Sequence, residues 1–160
     1  MTLNDLFERL DAFERDVPID TLVDLMKQVD LDRDDIEPVI TFDADHYQRN
    51  LLQVGSGYAA LILCWRPGQS SPIHDHRGSA CGVRVIDGTA SEIAYAQDRD
   101  GPLRPGKLHV YPTGSVCGSY DTDIHRMFND EPARDLITLH IYTPPLSDIH
   151  TWDEQTGEVT

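Results

Sequence analysis

Cysteine is scarce in this 160-residue chain: there are three, Cys64, Cys81 and Cys117, and no two form a CxxC pair. An odd number so widely spaced argues against a disulfide framework, and no cysteine-based zinc site is readable. It fits a reducing compartment, so a cytoplasmic location is expected. Positive charge is scarce as well, with 13 Lys and Arg against 28 Asp and Glu and a net charge of −15. Without a basic patch to neutralise phosphates, a nucleic-acid partner is not expected. The plain reading of the acidity is solubility, with adaptation to salt the alternative. No apolar run approaches the roughly 18 residues of a membrane span, so no membrane association is expected. The opening MTLNDLFERLDAFERD has no basic segment followed by an apolar block, and no secretory signal is expected either. Repeats and low-complexity tracts are also missing. No GxGxxG follows a strand pattern, which argues against a dinucleotide cofactor.

What is present suggests one domain over residues 1–160. Residues 1–40 read as helical. Leu3, Leu6, Phe7, Leu10 and Phe13 recur at helical spacing, and Pro18 opens a second stretch with Leu22, Leu25, Met26 and Val29 on one face. A third short piece follows Asp32. From residue 47 to 145 the pattern changes to short runs rich in Val, Ile, Leu, Thr and Tyr, separated by turn clusters. YAALILCW, CGVRVI, TASEIAYA, KLHVYP, SVCGSY, IHRMF and DLITLHIY read as strands, and Asp87-Gly88 as a tight hairpin turn. Such spacing predicts a sandwich or barrel with N-terminal helices packed across one side. The polar tail beyond Pro145 is expected to loop over the surface.

His74 and His76 flank Asp75. On a strand, residues i and i+2 share a face, so both imidazoles could occupy adjacent positions on one metal ion; by itself an HxH pair is more often a surface feature. Gly68 stands six residues before His74, and Gly88 twelve residues after His76. This resembles the first motif of the cupin superfamily, G-x5-H-x-H-x4-E-x6-G, with Cys81 where a typical member has its Glu ligand. Gly106, Pro112 and Gly114, then His125 and Asn129, match the second motif, G-x5-P-x-G followed by H-x3-N. The resemblance implies a mainly β, cupin-type small β-barrel, or jelly roll. His74, His76 and His125 would be its metal ligands. Three neutral histidines without a carboxylate leave a divalent ion its full charge and open positions. Such a site favours an anionic donor, a thiolate above all.

Two further lines of side chains share strand spacing. Thr138, His140 and Tyr142 lie at i, i+2 and i+4 in DLITLHIY and could form a hydrogen-bonded relay; a polar barrel face with no function is the plain alternative. Tyr47 and Arg49 lie two apart in HYQRNLL. An inward Arg49 could clamp a carboxylate with paired bonds; a surface arginine is the plain alternative.

Together, YQRNLL, LILCW, SPIHDH with Cys81 five residues beyond His76, IHRMFN and TLHIYTPP resemble the cysteine dioxygenase family of thiol dioxygenases, in the family's order from about residue 47 to 145. The resemblance implies an iron enzyme of cysteine catabolism. It would oxidise L-cysteine with O2 to cysteine sulfinic acid on Fe(II) held by His74, His76 and His125. Tyr142 would stand beside substrate and oxygen, with His140 and Thr138 completing its relay. Arg49 would bind the substrate carboxylate, with Tyr47 beside it. Cys81 matches the position that in some members forms a thioether bond to the tyrosine; a small buried residue is the plain reading. Members acting on 3-mercaptopropionate tend to carry Gln where cysteine-specific ones carry Arg. Here Gln48 adjoins Arg49, and register from Tyr47 favours Arg49. The open alternatives are a dioxygenase of 3-mercaptopropionate or another small thiol, and a non-catalytic metal- or ligand-binding cupin. The sequence ends soon after TPPLSDIHTW, short of the extension in animal members, and Ile149 stands where those place a cysteine; both changes are expected to reshape the rim of the site. His46, His109 and His150 are expected to be ordinary histidines, and the oligomeric state is open, with a monomer the simplest expectation.

Overall fold

Two runs carry apolar residues on both faces, and they decide the layering. In β2 (Ala59–Trp65) and β8 (Leu136–Thr143), alternate side chains enter two different clusters. Leu63, Trp65, Leu136 and Tyr142 pack inward with Cys81, Val83, Val85 and Met127. Ala60, Ile62, Cys64, Ile137, Leu139 and Ile141 pack outward beneath Leu6, Leu10, Leu22 and Met26. Every residue of β8 is buried. A strand covered on both sides reads as a continuous apolar run rather than an alternation, which is how LILCW and LITLHIY look in the sequence.

The computed structural model describes residues 1–99 and 101–160. The remaining strands are β1 (Gln48–Val54), β3 (Ala80–Asp87), β4 (Thr89–Gln97), β5 (Leu103–Pro112), β6 (Val116–Ser119) and β7 (Ile124–Phe128). They form a five-stranded sheet, β1-β2-β8-β3-β6, and a three-stranded sheet, β5-β4-β7, with every pairing antiparallel. Among the described residues no ladder closes the two sheets into a ring. The expected barrel is therefore the two-sheet jelly-roll form.

The N-terminal helices form where the spacing predicts: α1 over Leu3–Asp11 and α2 over Ile19–Gln28, followed by a 3-10 turn at Asp34–Val39. Thr2 and Asp5 cap α1 reciprocally, each side chain accepting from the other's backbone N–H. α2 is too short to be stable alone. It is held by burial of Leu22, Leu25 and Met26, each worth about 1.5–3 kcal/mol. The sheet receives it closely because Gly82 and Gly118 lack a Cβ; one would stand 2.5 Å from Met26 Sδ at Gly82 and 2.9 Å from Val23 Cγ2 at Gly118.

Asp87-Gly88 is not a hairpin. β3 pairs with β6 and β8, whereas β4 pairs with β5 and β7, so this dipeptide carries the chain from one sheet to the other. Gly88 has φ +87°, a left-handed conformation suited to glycine. A Cβ there would lie 2.5 Å from the carbonyl oxygen of Asp135. Turn chemistry was legible in the sequence; the partner strands were not, because turn residues serve a corner as well as a hairpin.

Candidate metal centre

His74 and His125 come from distant parts of the chain and meet backbone to backbone. The N–H of His74 donates to the carbonyl of His125 at 2.9 Å, and the reverse bond is also 2.9 Å. The pair is an isolated bridge, and His74 bridges Thr151 on its other side. The HxH segment therefore does not lie on a regular strand, contrary to the expectation. Its two imidazoles converge because His74 is pinned between β7 and the C-terminal tail, while the chain turns at Arg77-Gly78, both with positive φ.

The donor atoms of His74, His76 and His125 all lie within 4.8 Å of one another. Nε2 of His76 is 3.2 Å from Nε2 of His74 and 3.3 Å from Nε2 of His125. Two nitrogens each about 2.1 Å from a shared ion stand about 3.0–3.4 Å apart for angles between a right angle and the tetrahedral one. The other ring nitrogens are engaged. Nδ1–H of His74 donates to the carbonyl of Pro72 at 2.8 Å, and Nδ1–H of His125 to a carboxylate oxygen of Glu92 at 3.0 Å. Nδ1 of His76 lies 3.4 Å from the hydroxyl of Ser119. A carbonyl and a carboxylate only accept, which fixes two of the three tautomers and leaves Nε2 lone pairs aimed at one point. That arrangement fits a metal ion. Burial, then the charge of His125, pushes the His74 pKa down to about 4 and that of His76 to about 2, so both imidazoles are neutral donors at neutral pH.

Beside the ligands lies a small pocket of about 20 Å³, bounded by Tyr47, Arg49, Trp65, His140, Tyr142 and the apolar side chains Leu63, Met127, Leu146 and Ile149. No carboxylate lines it, and Arg49 is its one permanently charged residue. Arg49 stands at the exposed mouth, with its guanidinium carbon 5.8 Å from the centroid of the Tyr142 ring. Gln48 projects from the opposite face of β1 and is not part of the lining. Tyr47 stacks on Trp65, centroids 4.4 Å apart.

The expected relay is assembled. Thr138 Oγ1 is 3.0 Å from Nε2 of His140, whose Nδ1 is 3.5 Å from the Tyr142 hydroxyl. Burial holds the His140 imidazole well below its ordinary pKa. Burial, then the neighbouring Cys81, holds the Tyr142 hydroxyl well above its own. The first is therefore neutral and the second protonated. Cys81 faces Tyr142 directly across β3 and β8, with its Sγ 3.9 Å from Nδ1 of His140.

Four contributors escape sequence reasoning. Glu92 and Ser119 sit behind ligands, and nothing in TASEIAYA or SVCGSY marks them. Trp65 donates its indole N–H to Thr138 at 3.0 Å, although in LILCW it reads only as core. His150 is not an ordinary histidine. Its backbone N–H donates to Oδ1 of Asp75 at 2.9 Å, and its Nδ1 lies 3.2 Å from Oδ2. A second clasp, Arg77 to Asp148 at 2.8 Å, ties the same loop to the tail.

The molecule is similar in fold to a Klebsiella pneumoniae protein with a double-stranded β-helix domain (TM-score 0.61, 16% identity, 75% of this chain and 89% of that one). It is also similar to an oxalate oxidase (TM-score 0.54, 16% identity, 67% of this chain and 55% of that one); at these identities the likeness shows the cupin fold alone. In sequence the chain is 31% identical to cysteine dioxygenase type 1 of Danio rerio over 98% of its own length and 81% of that protein. It is 32% identical to the Homo sapiens enzyme of the same name over 72% of its own length and 60% of that protein. The family model described as cysteine dioxygenase type I matches residues 1–155, and with near-complete coverage at this identity the chain belongs to the cysteine dioxygenase type I family.

Proposed function

We infer that this protein oxidises L-cysteine with O2 to cysteine sulfinic acid, using ferrous iron held by His74, His76 and His125. The observation that carries the reading is the convergence of three imidazole lone pairs on one point, beside a pocket whose only permanent charge is Arg49. Neither a 3-mercaptopropionate enzyme nor a non-catalytic cupin is favoured by the family match. The free thiols Cys64, Cys81 and Cys117 support a cytoplasmic setting.

Bound at the three histidines, ferrous iron supplies the redox chemistry that joins a thiolate to dioxygen. The chain's own residues do the rest. Arg49 would receive the substrate carboxylate at the pocket mouth, fixing which end of the molecule faces inward. With no carboxylate in the lining, the pocket suits an anionic substrate. Tyr142, kept protonated by burial, would donate its hydroxyl proton as a hydrogen bond toward the reacting sulfur and oxygen atoms. His140 and Thr138 would orient that hydroxyl. Leu63, Met127, Leu146 and Ile149 would exclude water. Both oxygen atoms end on sulfur and all four electrons come from it, so no reductant is required; the product is the second rung of the thiol oxidation ladder.

The test is metal analysis of protein purified with ferrous iron, together with oxygen uptake and product identification on adding L-cysteine. One iron per chain, with one sulfinate formed per O2 consumed, is expected. Iron-loaded protein that consumes no oxygen, or that yields disulfide instead of sulfinate, overturns the reading.

A further inference from the structure

Among the described residues, Glu92 is a part-buried carboxylate with no Lys or Arg partner. Its side chain is 15% exposed. Among the described residues its one ion-pair contact is Nδ1 of His125 at 3.0 Å, and its other oxygen accepts from the Tyr111 hydroxyl at 3.4 Å. Its contacts are therefore an imidazole and a phenol rather than a permanent cation.

The three histidines also differ in what stands behind them. His74 leans on the carbonyl of Pro72, His76 on the hydroxyl of Ser119, and only His125 on a charged group. The register puts Glu92 on β4 opposite Met127 of β7, with Ala94 opposite His125. The carboxylate therefore reaches one ligand across the sheet and leaves the pocket lining free of acid.

We propose that Glu92 sets the charge of the metal centre. Acting through His125, it supplies one negative charge that strengthens the hold on a divalent ion and weakens that ion's hold on anions. This rests on the reading of His74, His76 and His125 as metal ligands. It revises the charge expected of a three-histidine site, since one full unit of the ion's charge is answered one hydrogen bond away. The consequence is chemical. Substrate thiolate and product sulfinate are both anions, and a bare three-histidine ion would retain both. Glu92 moderates that retention and favours release of the product. It is a positioning and charge-setting residue that touches neither substrate nor oxygen.

The test uses Co(II), which is inert to the turnover reaction, as probe ion. Its affinity is measured by competition with a chromogenic chelator, and the affinity of the Co(II)-loaded protein for azide by visible absorption. Glu92→Gln keeps a hydrogen-bond acceptor and removes only the charge. We expect Co(II) to bind about 10-fold more weakly, at the lower end of what loss of such a partner costs, and azide to bind several-fold more tightly. A purely structural role would move both affinities the same way or neither, and either result overturns the proposal. Should Glu92→Gln not fold, judged by circular dichroism of the metal-free chain, Glu92→Asp carries the test. It keeps the charge but withdraws it from His125, and the same opposite-signed pair of shifts is expected, smaller in size. Failure of the wild-type chain to take up one Co(II) overturns the ligand reading beneath; normal uptake with unchanged variants overturns only the role of Glu92.

Discussion

The indole N–H of Trp65 donates to Thr138 Oγ1 at 3.0 Å, and this one bond orders the relay beyond it. An indole nitrogen only donates. Among the described residues Thr138 has one other side-chain partner, Nε2 of His140, so the hydroxyl proton goes there. That places the imidazole proton on Nδ1, facing the Tyr142 hydroxyl, and leaves the phenol's own proton free for the pocket. Every bond in the series points the same way.

Trp65→Phe removes the N–H and keeps the ring beside Tyr47. It is expected to lower kcat about 5-fold, the worth of one neutral hydrogen bond, with KM for cysteine unchanged. Nitrogen-15 NMR of His140 should show the Nδ1–H tautomer in the wild type and a mixture in the variant. An unchanged tautomer would remove Trp65 from the relay.

Arg49→Ala is expected to raise KM for L-cysteine about 10-fold or more, as for loss of a charge-assisted bond. Oxidation of cysteamine, which has no carboxylate, should change little. Equal effects on both thiols would take the carboxylate away from Arg49.

Cys81 and Tyr142 are direct cross-strand neighbours, and a thioether between thiol and phenol ring, with dioxygen taking the two electrons and two protons removed, is expected to form during turnover. Electrophoresis of aged, iron-loaded protein should give a doublet that collapses to one band in Cys81→Ala. A single band in the wild type after many turnovers counts against a thioether.

His125→Ala should abolish retention of iron, because it removes one of three donors and leaves Glu92 aimed into a gap. Iron still present at one per chain in dialysed variant protein would sink the ligand set.

Burial depresses His74, His76 and His140 in the folded, metal-free chain. The unfolded chain takes up protons near pH 6.5 while the folded one does not, so stability rises with pH and falls as pH drops through 6.5. Between pH 7 and 5.5 the metal-free protein is expected to lose about 2 kcal/mol or more, roughly 4–8 °C in Tm. A flat melting curve over that range would show these imidazoles to be solvated.

Much of this was legible beforehand, for identifiable reasons. β8 announces itself because Thr138, His140 and Tyr142 alternate with Ile137, Leu139 and Ile141, and both sets are buried. Tyr47 and Arg49 share a face by strand period alone. The helices follow from Leu6, Leu10, Leu22 and Met26. What failed depended on partners. Asp87-Gly88 carries turn chemistry, but which sheet the next strand joins is a long-range matter. His74 and His76 were placed together for the wrong reason, since the bridge to His125 does the work of a strand. Glu92 escaped because a lone acid in TASEIAYA looks solvated until β7 is laid beside it.

The tail clasped to the ligand loop by Asp75–His150 and Arg77–Asp148 makes iron retention and tail docking reciprocal. Whatever free energy the ion gains from an ordered HxH loop, the segment from Leu146 to Trp152 gains from the ion, by thermodynamic linkage. Loss of iron should therefore register first as accelerated amide exchange in that segment, at the rim of the pocket rather than in its floor.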